Sequence, residues 1–229
     1  MSSLLILDAS STLCSVALNL NGETLWLTED QPRRHAQRLL PMVDELMSDA
    51  GISRSELDGV AFGCGPGSFT GIRIAVAVAQ GVSLALDLPV CGISSLATIA
   101  QAALSEDTRP RALTLMDAHM GEVFWGTYEL QNGICVPAGD EQVGSPEACL
   151  EAIADWDGVI AGDGLQLMPF AGCDLTYSGI RPEARTMSRL AAEAWKDGKF
   201  GDADAHPPVY LRNSVAWKKL DEQPSLLKR

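Results

Sequence analysis

The stretch best suited to chemistry is residues 63–73, which read GCGPGSFTGIR. Three glycines in five positions let the backbone turn tightly and approach another group closely. Ser68 or Thr70 can cap the apolar helix that the following residues predict. A strand, a glycine turn and a helix N-terminus together suit either an anion or the close packing of another segment, and the sequence leaves both open.

This glycine run does not match the common catalytic fingerprints. It lacks the Gly-Lys-Ser/Thr ending of a P-loop and the glycine spacing of a dinucleotide fold, and Ser68 is not in a Gly-x-Ser-x-Gly elbow. The chain has only three histidines, which support no serine triad and include no pair at metal-ligand spacing. We expect His35, which lies among arginines, to be an exposed structural residue.

Two acids at strand ends are candidates for a nucleotide site. Asp8 ends the first predicted strand and is followed by Ala-Ser-Ser-Thr, and Asp117 takes the same position in the second half. Facing each other across a cleft, two such carboxylates would suit a hydrated magnesium ion near phosphates. The alternative for Asp8 is that its carboxylate accepts hydrogen bonds from backbone amides of the turn that follows it.

The surrounding pattern predicts an α/β protein made of two related halves. The first half has the order β-β-β-α-β-α-β-α, with Asn21-Gly22 as a hairpin turn. The second half repeats this order in a shorter form, with predicted turns at Asn132-Gly133 and at residues 162–164. We predict a first domain at residues 1–104 and a smaller one at 105–229, whose terminal segment packs back on the first. The predicted helices are residues 34–50, kinked or started by Pro41, and 69–86, 95–104, 146–154 and 187–196.

Helix 69–86 is apolar on nearly every side. Gly71, Ala75 and Ala79 form a stripe of small residues, and larger aliphatic residues cover most of the remainder. A helix of this kind is buried on nearly all sides. One face can pack on its own sheet and the other on a helix from another subunit. The alternative is that helix 34–50 of the same chain covers that second face.

Bulk composition narrows the class of protein. The net charge of −13 argues against a large basic nucleic-acid footprint, although the terminal 20 residues are locally basic and could touch phosphate. We expect no secretion signal, because the sequence begins Met-Ser-Ser, enters a predicted strand at once and has no basic region there. Helix 69–86 carries Arg73 and Gln80 and is shorter than the roughly 20 residues of a membrane span. The six cysteines include no Cys-x-x-Cys pair, which indicates buried free thiols in a reducing cytoplasm.

Five segments together resemble the bacterial TsaB (YeaZ) family in order and spacing. They are the hairpin that begins at Asp8 and residues 35–41, 63–73, 117–125 and 208–219. The resemblance covers essentially the whole chain, and the motif Gly-Pro-Gly-Ser-Phe-Thr-Gly-Ile-Arg is highly specific to that family. It implies the two-domain fold of actin-like ATPases, which sugar kinases and Hsp70 share, with duplicated β-β-β-α-β-α units.

The resemblance also implies a function. Members of this family are cytoplasmic, non-catalytic subunits in the synthesis of threonylcarbamoyladenosine, beside the anticodon of tRNAs that read codons starting with adenine. The paralogue TsaD transfers threonylcarbamoyl from threonylcarbamoyl-AMP to the adenosine N6, and the ATPase TsaE joins the assembly. For this chain we therefore expect a heterodimer with TsaD, a homodimer when it is alone, and contact with tRNA only through the complex.

The residues agree with a non-catalytic role. Ser95 and Ile99 fall where TsaD has its two metal-binding histidines, and Ser10 replaces a glycine that is usual in the first phosphate loop. We expect no metal, no cofactor and at most weak nucleotide binding in a degenerate cleft formed by Asp8, Ser10 and Asp117. In TsaD complexes the two helices that match 34–50 and 69–86 form a four-helix bundle. This implies a partner interface made of Leu39, Val43, Leu46, Phe69, Ile72, Ala75, Val76 and Ala79.

Two other functions remain as alternatives. A nucleotide-dependent phosphotransferase of the same fold would need Asp8 and Asp117 to bind Mg-ATP, and Ser10 counts against it. A peptidase acting on the paralogue would need a nucleophile and a base, which the sequence does not display.

Overall fold

The chain folds around two five-stranded sheets in a computed structural model that describes residues 2–30, 32–153, 156–168 and 177–212. The fold class is the predicted one, a mixed α/β fold. The strands are β1 (Ser3–Asp8), β2 (Leu13–Leu20), β3 (Glu23–Asp30), β4 (Gly59–Gly65), β5 (Val90–Ser94), β6 (Arg111–Asp117), β7 (Val123–Gln131), β8 (Ile134–Pro137), β9 (Gln142–Gly144) and β10 (Val159–Ala161). The α-helices are α1 (His35–Ala50), α2 (Phe69–Leu86), α3 (Ser95–Glu106), α4 (Pro146–Ala152) and α5 (Ala184–Lys196).

The first sheet has the order β3-β2-β1-β4-β5. β1 pairs with β2, and β2 with β3, in antiparallel register, with the predicted turn at Asn21 and Gly22 between the last two. β1, β4 and β5 run parallel, so the chain must cross over through α1 and α2. α1 packs on β2 and α2 on β4, where their apolar faces bury the strand residues of this sheet.

The second sheet repeats this topology in smaller form, with the order β10-β6-β7-β8 and with β9 beside β7. β6, β7 and β8 form an antiparallel meander, and β10 pairs with β6 in parallel. The short strand β9 was not predicted. Residues 162–164 were predicted as a turn, and the structure has the 3-10 helix Asp163–Leu167 beginning there. α5 begins at Ala184 instead of residue 187, and the predicted end of α4 at 154 lies outside the described residues.

Two helices cross between the lobes. α3 packs on β6, β7 and β8 of the second sheet, whereas α5 returns to pack on β1 and β2 of the first. Buried polar contacts fix α5 there, since the backbone N–H of Ala184 donates to Ser15 Oγ at 2.9 Å and Asn19 Nδ2 donates to Ser188 Oγ at 2.9 Å. The boundary near residue 104 therefore separates the sheets, but the largest apolar core contains residues of both.

Two local features of the helices differ from simple expectation. α1 continues through Pro41, which is exposed inside the helix, and its first residue is His35. Pro41 is thus not the helix start, one of the two roles predicted for it. Among the described helices, α2 is long and apolar enough to cross a membrane by length and composition, contrary to the expectation that it is too short, and 33% of that window is buried. Its buried residues pack on a strand and on α1, as in the core of an α/β domain.

Candidate functional site

The glycine run forms the turn between β4 and α2, and it is filled by other parts of the chain. Ser68 caps α2, since its Oγ accepts the backbone N–H of Gly71 at 3.2 Å. The Ser68 N–H donates to the carbonyl of Ser10 at 2.7 Å. A Cβ at Gly67 would overlap that same carbonyl, and one at Gly71 would overlap the carbonyl of Ala9. The glycines therefore serve close packing against the first hairpin, one of the two roles left open by the sequence.

A C-terminal segment, residues 207–212, covers the other side of this turn. The Val209 N–H donates to the carbonyl of Cys64 at 2.8 Å. Arg73 stacks on Phe69, 3.4 Å from the ring centre, and its Nε donates to the Tyr210 hydroxyl at 3.0 Å. Further along, Arg212 donates to Glu122 and to the carbonyl of Ala118 on the second lobe. The remainder of the predicted basic tail lies outside the described residues.

Asp8 lies beneath the cleft and is fully buried. One carboxylate oxygen accepts the Ser10 N–H at a long 3.4 Å, while Oδ1 has no partner and would overlap any Cβ at Gly63. Burial raises the pKa of Asp8 to about 7, and it outweighs the lowering effect of its hydrogen bonds with Ser10. A carboxyl in this position matches the predicted alternative of a turn acceptor more closely than a ligand for hydrated magnesium.

The cleft between the lobes has a volume of about 580 Å³, and Ser10 and Asp117 line it but Asp8 does not. Of the predicted cleft residues Asp8, Ser10 and Asp117, Asp8 is therefore wrong, because its carboxylate is buried between Gly63 of β4 and the turn that begins at Ser10. A second acid, Asp163, lies in the cleft instead. Its Oδ1 accepts the Asp117 N–H at 3.2 Å, and burial, followed by the neighbouring charge of Asp117, raises its pKa. The sequence pattern predicted only a turn at residues 162–164 and did not mark Asp163 as a cleft residue.

Several predicted residues have structural roles. Ser95 and Ile99 are fully buried in the first turns of α3. His35 is also buried, at 8% exposure, with Nε2 3.2 Å from the carbonyl of Leu13, so the prediction that it is exposed is wrong. The described cysteines are buried free thiols, as predicted, and Cys173 lies outside the described residues. Within the described ranges, no group of three or more His, Cys, Asp or Glu residues could hold a metal ion.

The predicted partner-interface residues are, apart from Phe69, buried in the core of the first lobe. They are Leu39, Val43, Leu46, Ile72, Ala75, Val76 and Ala79. As exposed contact residues they are wrong, because their side chains pack in the core of the first lobe, although Val43 also lines the groove between the two helices. Phe69 is 54% exposed, but it stacks with Arg73 and Tyr210. A partner role for the two helices remains a prediction, and other residues must carry it.

An open apolar groove of about 490 Å³ runs between α1 and α2 and reaches down to buried Leu5 of β1 and buried Leu57. Leu40 is 48% exposed on its α1 side, and Ala77, Gly81 and Ala85 are exposed on its α2 side. These α2 residues recur every four positions, a signal that was present in the sequence beside the stripe of Ala75 and Ala79. Nothing lies within 4 Å of a Cβ built on Gly81, so a side chain at this position would extend into open space. Its lining also includes Val43, Asp44, Met47, Arg54, Val78, Val82 and Leu86.

Comparison with known proteins identifies the family. The sequence model "TsaD: tRNA N6-adenosine threonylcarbamoyltransferase" matches residues 29–201. The tRNA threonylcarbamoyladenosine biosynthesis protein TsaB of Escherichia coli is 39% identical over 95% of this chain and 97% of its own length. The chain belongs to the TsaB family. The TsaB protein of Haemophilus influenzae is 36% identical over 95% of this chain and 96% of its own.

Solved structures of this family agree. YeaZ from Pseudomonas aeruginosa is 42% identical, with a TM-score of 0.82, and covers 92% of this chain and 100% of its own. A second structure, described as an uncharacterized protein with similarity to peptidase YeaZ from Pseudomonas aeruginosa, is 43% identical, with a TM-score of 0.84, over 93% of this chain and 100% of its own. The predicted family and its actin-like fold are therefore confirmed.

Proposed function

We propose that this chain is a non-catalytic accessory subunit in the biosynthesis of threonylcarbamoyladenosine in tRNA. It pairs with a TsaD-family transferase through the groove between α1 and α2. Membership of the TsaB family supports the assignment to threonylcarbamoyladenosine biosynthesis. The exposed apolar groove is the observation that supports the mode of action, because apolar surface left open on a folded domain indicates a protein partner.

The shape of the groove suits helices. Two adjacent helices with small residues at Ala77, Gly81 and Ala85 let the backbone of a partner helix approach closely, and Leu40 provides an apolar rim. A partner with a matching helix pair would complete a four-helix arrangement. When no transferase is present, a second copy of this chain covers the same surface. The ATPase TsaE joins the heterodimer, and tRNA binds to the assembled complex.

The cleft supports a role without chemistry of its own. The glycine turn is packed against the first hairpin, and Asp8 is buried below the cleft. A phosphotransferase would need Asp8 at the cleft surface to bind Mg-ATP, and we therefore assign no cofactor and only weak nucleotide binding. No hydrogen bond among the described residues joins a histidine ring to a serine hydroxyl or a cysteine thiol, so the peptidase alternative gains no support either.

The cellular setting follows from the process and from the surface. A subunit that acts on tRNA works in the cytoplasm, where buried thiols such as Cys14 and Cys91 stay reduced. The apolar face of α2 is covered by protein in this proposal and not by lipid.

The test is the variant Gly81→Glu. It places a charge in the groove at a position with free space, so the monomer should stay folded. We expect loss of copurification with the TsaD-family partner and loss of tRNA modification in an assay with TsaD, TsaE and the enzyme that forms threonylcarbamoyl-AMP. Thr108→Glu, an exposed site away from the groove, is the charge-matched control. Unchanged pairing of Gly81→Glu would disprove the interface, and an assay that runs at full rate without this chain would disprove the function.

A further inference from the structure

Six of the arginines that the structure describes form ion pairs with carboxylates, as the acidic composition leads one to expect. Arg38 binds Glu29 and Glu45. Arg54, Arg109, Arg111, Arg181 and Arg212 each form an ion pair with an acid as well. With 30 acidic against 17 basic residues, a carboxylate is seldom far from a guanidinium. An arginine without a carboxylate partner is therefore a candidate to bind an anionic group of another molecule.

Arg185 and Arg189 on α5 are two such arginines. Both are exposed, and neither forms an ion pair with any residue that the structure describes. They are four residues apart, so they lie on one face of the helix, separated by about 6 Å along its axis. The opposite face of α5 is buried in the core, which fixes the direction in which the two side chains emerge.

Each of the two guanidinium groups lies against a neighbouring part of the protein surface. Arg185 lies over Trp26 of β3, 4.0 Å from its ring, and Trp26 stays 41% exposed. Arg189 lies against the β7–β8 turn, where a Cβ at Gly133 would be 2.6 Å from Nη2. Both arginines line a groove of about 560 Å³, with Arg181 at its side. The pair thus spans from the edge strand of the first sheet to a turn of the second.

The acids near this groove leave the two charges uncompensated. Glu183 and Glu106 line it. Glu183 accepts a hydrogen bond from the Thr28 hydroxyl at 2.5 Å, and neither acid pairs with Arg185 or Arg189. Asp30, near the end of the groove, is already bound to Arg181.

We propose that Arg185 and Arg189 bind the phosphate backbone of RNA. Guanidinium groups match phosphate oxygens in geometry and charge. Surfaces that bind single-stranded nucleic acid combine positive charge with exposed aromatic rings, and here Arg185 lies beside exposed Trp26. The inference rests on the proposed function, in which the RNA is the tRNA bound by the assembled complex. This subunit then contributes a small contact to a larger tRNA-binding surface, which agrees with its negative net charge.

The experiment measures tRNA binding by the complex of this chain with its TsaD-family partner, at several salt concentrations. The double variant Arg185→Ala/Arg189→Ala should bind unmodified tRNA about tenfold more weakly, as expected for the loss of two exposed ion pairs. The slope of log affinity against log salt should fall by about 1.5, because two phosphate contacts are lost. Arg185→Lys/Arg189→Lys should restore most of the slope.

The control is Lys196→Ala/Lys199→Ala, which removes the same charge from exposed positions near the end of α5 that already pair with Glu193 and Asp197. Equal tRNA affinity and equal salt slope for the arginine variant and the wild type would overturn the inference and leave the proposed function standing. Loss of pairing with the transferase or with the ATPase, at unchanged tRNA affinity, would assign the arginines to an acidic protein surface and would also overturn it. A wild-type complex that neither binds nor modifies tRNA would overturn both.

Discussion

The groove between α1 and α2 and the cleft between the lobes have similar volumes, about 490 and 580 Å³, but they differ in the polar side chains that line them. The groove is lined mainly by apolar residues, with exposed Leu40, Ala77 and Gly81. The cleft also has apolar walls, but it carries the carboxylates of Asp117 and Asp163, and buried Asp8 does not line it. In the function that we propose, the partner therefore binds outside the cleft.

In our proposal, this fold keeps its architecture while its binding surface lies outside the cleft. The glycine turn connects β4 to α2, and its backbone contacts are made with Ser10 and Val209 of the same chain. The helices that flank the sheet cover it, and the groove between them is mainly apolar. The fold limits where a binding site can lie, and the side chains at that place determine whether a ligand binds there.

The largest expected difference in stability comes from placing a carboxylate on the inner face or on the outer face of α2. Ala75→Glu introduces a carboxylate where exposure is 0%, so we expect it to destabilise the fold by about 5 kcal/mol or more. Gly81→Glu, on the outer face, should unfold at a urea midpoint close to that of the wild type. Circular dichroism during urea unfolding measures both. A folded Ala75→Glu variant would mean that the inner face is not the core of the lobe.

The cleft side can be tested through the pH dependence that Asp8 confers. Its pKa of about 7 in the folded protein lies above its usual value of 3.8, so its stabilising effect is complete below pH 3.8 and is lost as the pH rises through 7. Between pH 4 and pH 8 this loss amounts to at most about 4 kcal/mol. Asp8→Asn should flatten the profile, and the wild type should lose more stability than this variant over that range. Parallel profiles from urea unfolding would show that Asp8 is ionised at neutral pH.

A smaller effect distinguishes the packed turn from the open groove. Gly71→Ala should cost about 2–3 kcal/mol, because its Cβ would overlap the Ala9 carbonyl. Gly81→Ala, in the same helix, should gain up to about 1 kcal/mol, since its Cβ meets nothing and alanine favours the helix. Thermal melting of the two variants provides the comparison. Equal effects of the two substitutions would contradict the close packing of the glycine turn.

Much of the architecture could be predicted from local pattern. Alternation and the Asn-Gly turns marked the strands, the 3.6-residue period marked α1, and the long apolar run marked α2, because these signals depend only on neighbouring residues. The short strand β9 was missed because three residues carry too little pattern. The position of α5 on the first sheet was missed because its amphipathic sequence specifies a buried face but not the sheet that buries it.

The site was less predictable, for a related reason. The sequence marked α2 as apolar on nearly every side, but Ala75 and Gly81 look alike until the sheet is in place. Asp8 and Asp117 occupy matching positions in the two halves, yet one is buried and the other lines the cleft. Asp163 joins Asp117 only because parallel pairing of β6 with β10 brings their ends together.

By itself, the sequence determined the family, the duplicated α/β order and the absence of an imidazole pair at Ser95 and Ile99. These depend on residue identity and spacing along the chain. Only the tertiary structure decided that the glycine turn is packed, that Asp8 is buried, and that Leu40, Ala77 and Gly81 form the open groove. The physical reason is that burial is a property of the assembled layers, and it separates residues of the same type that no local pattern can distinguish.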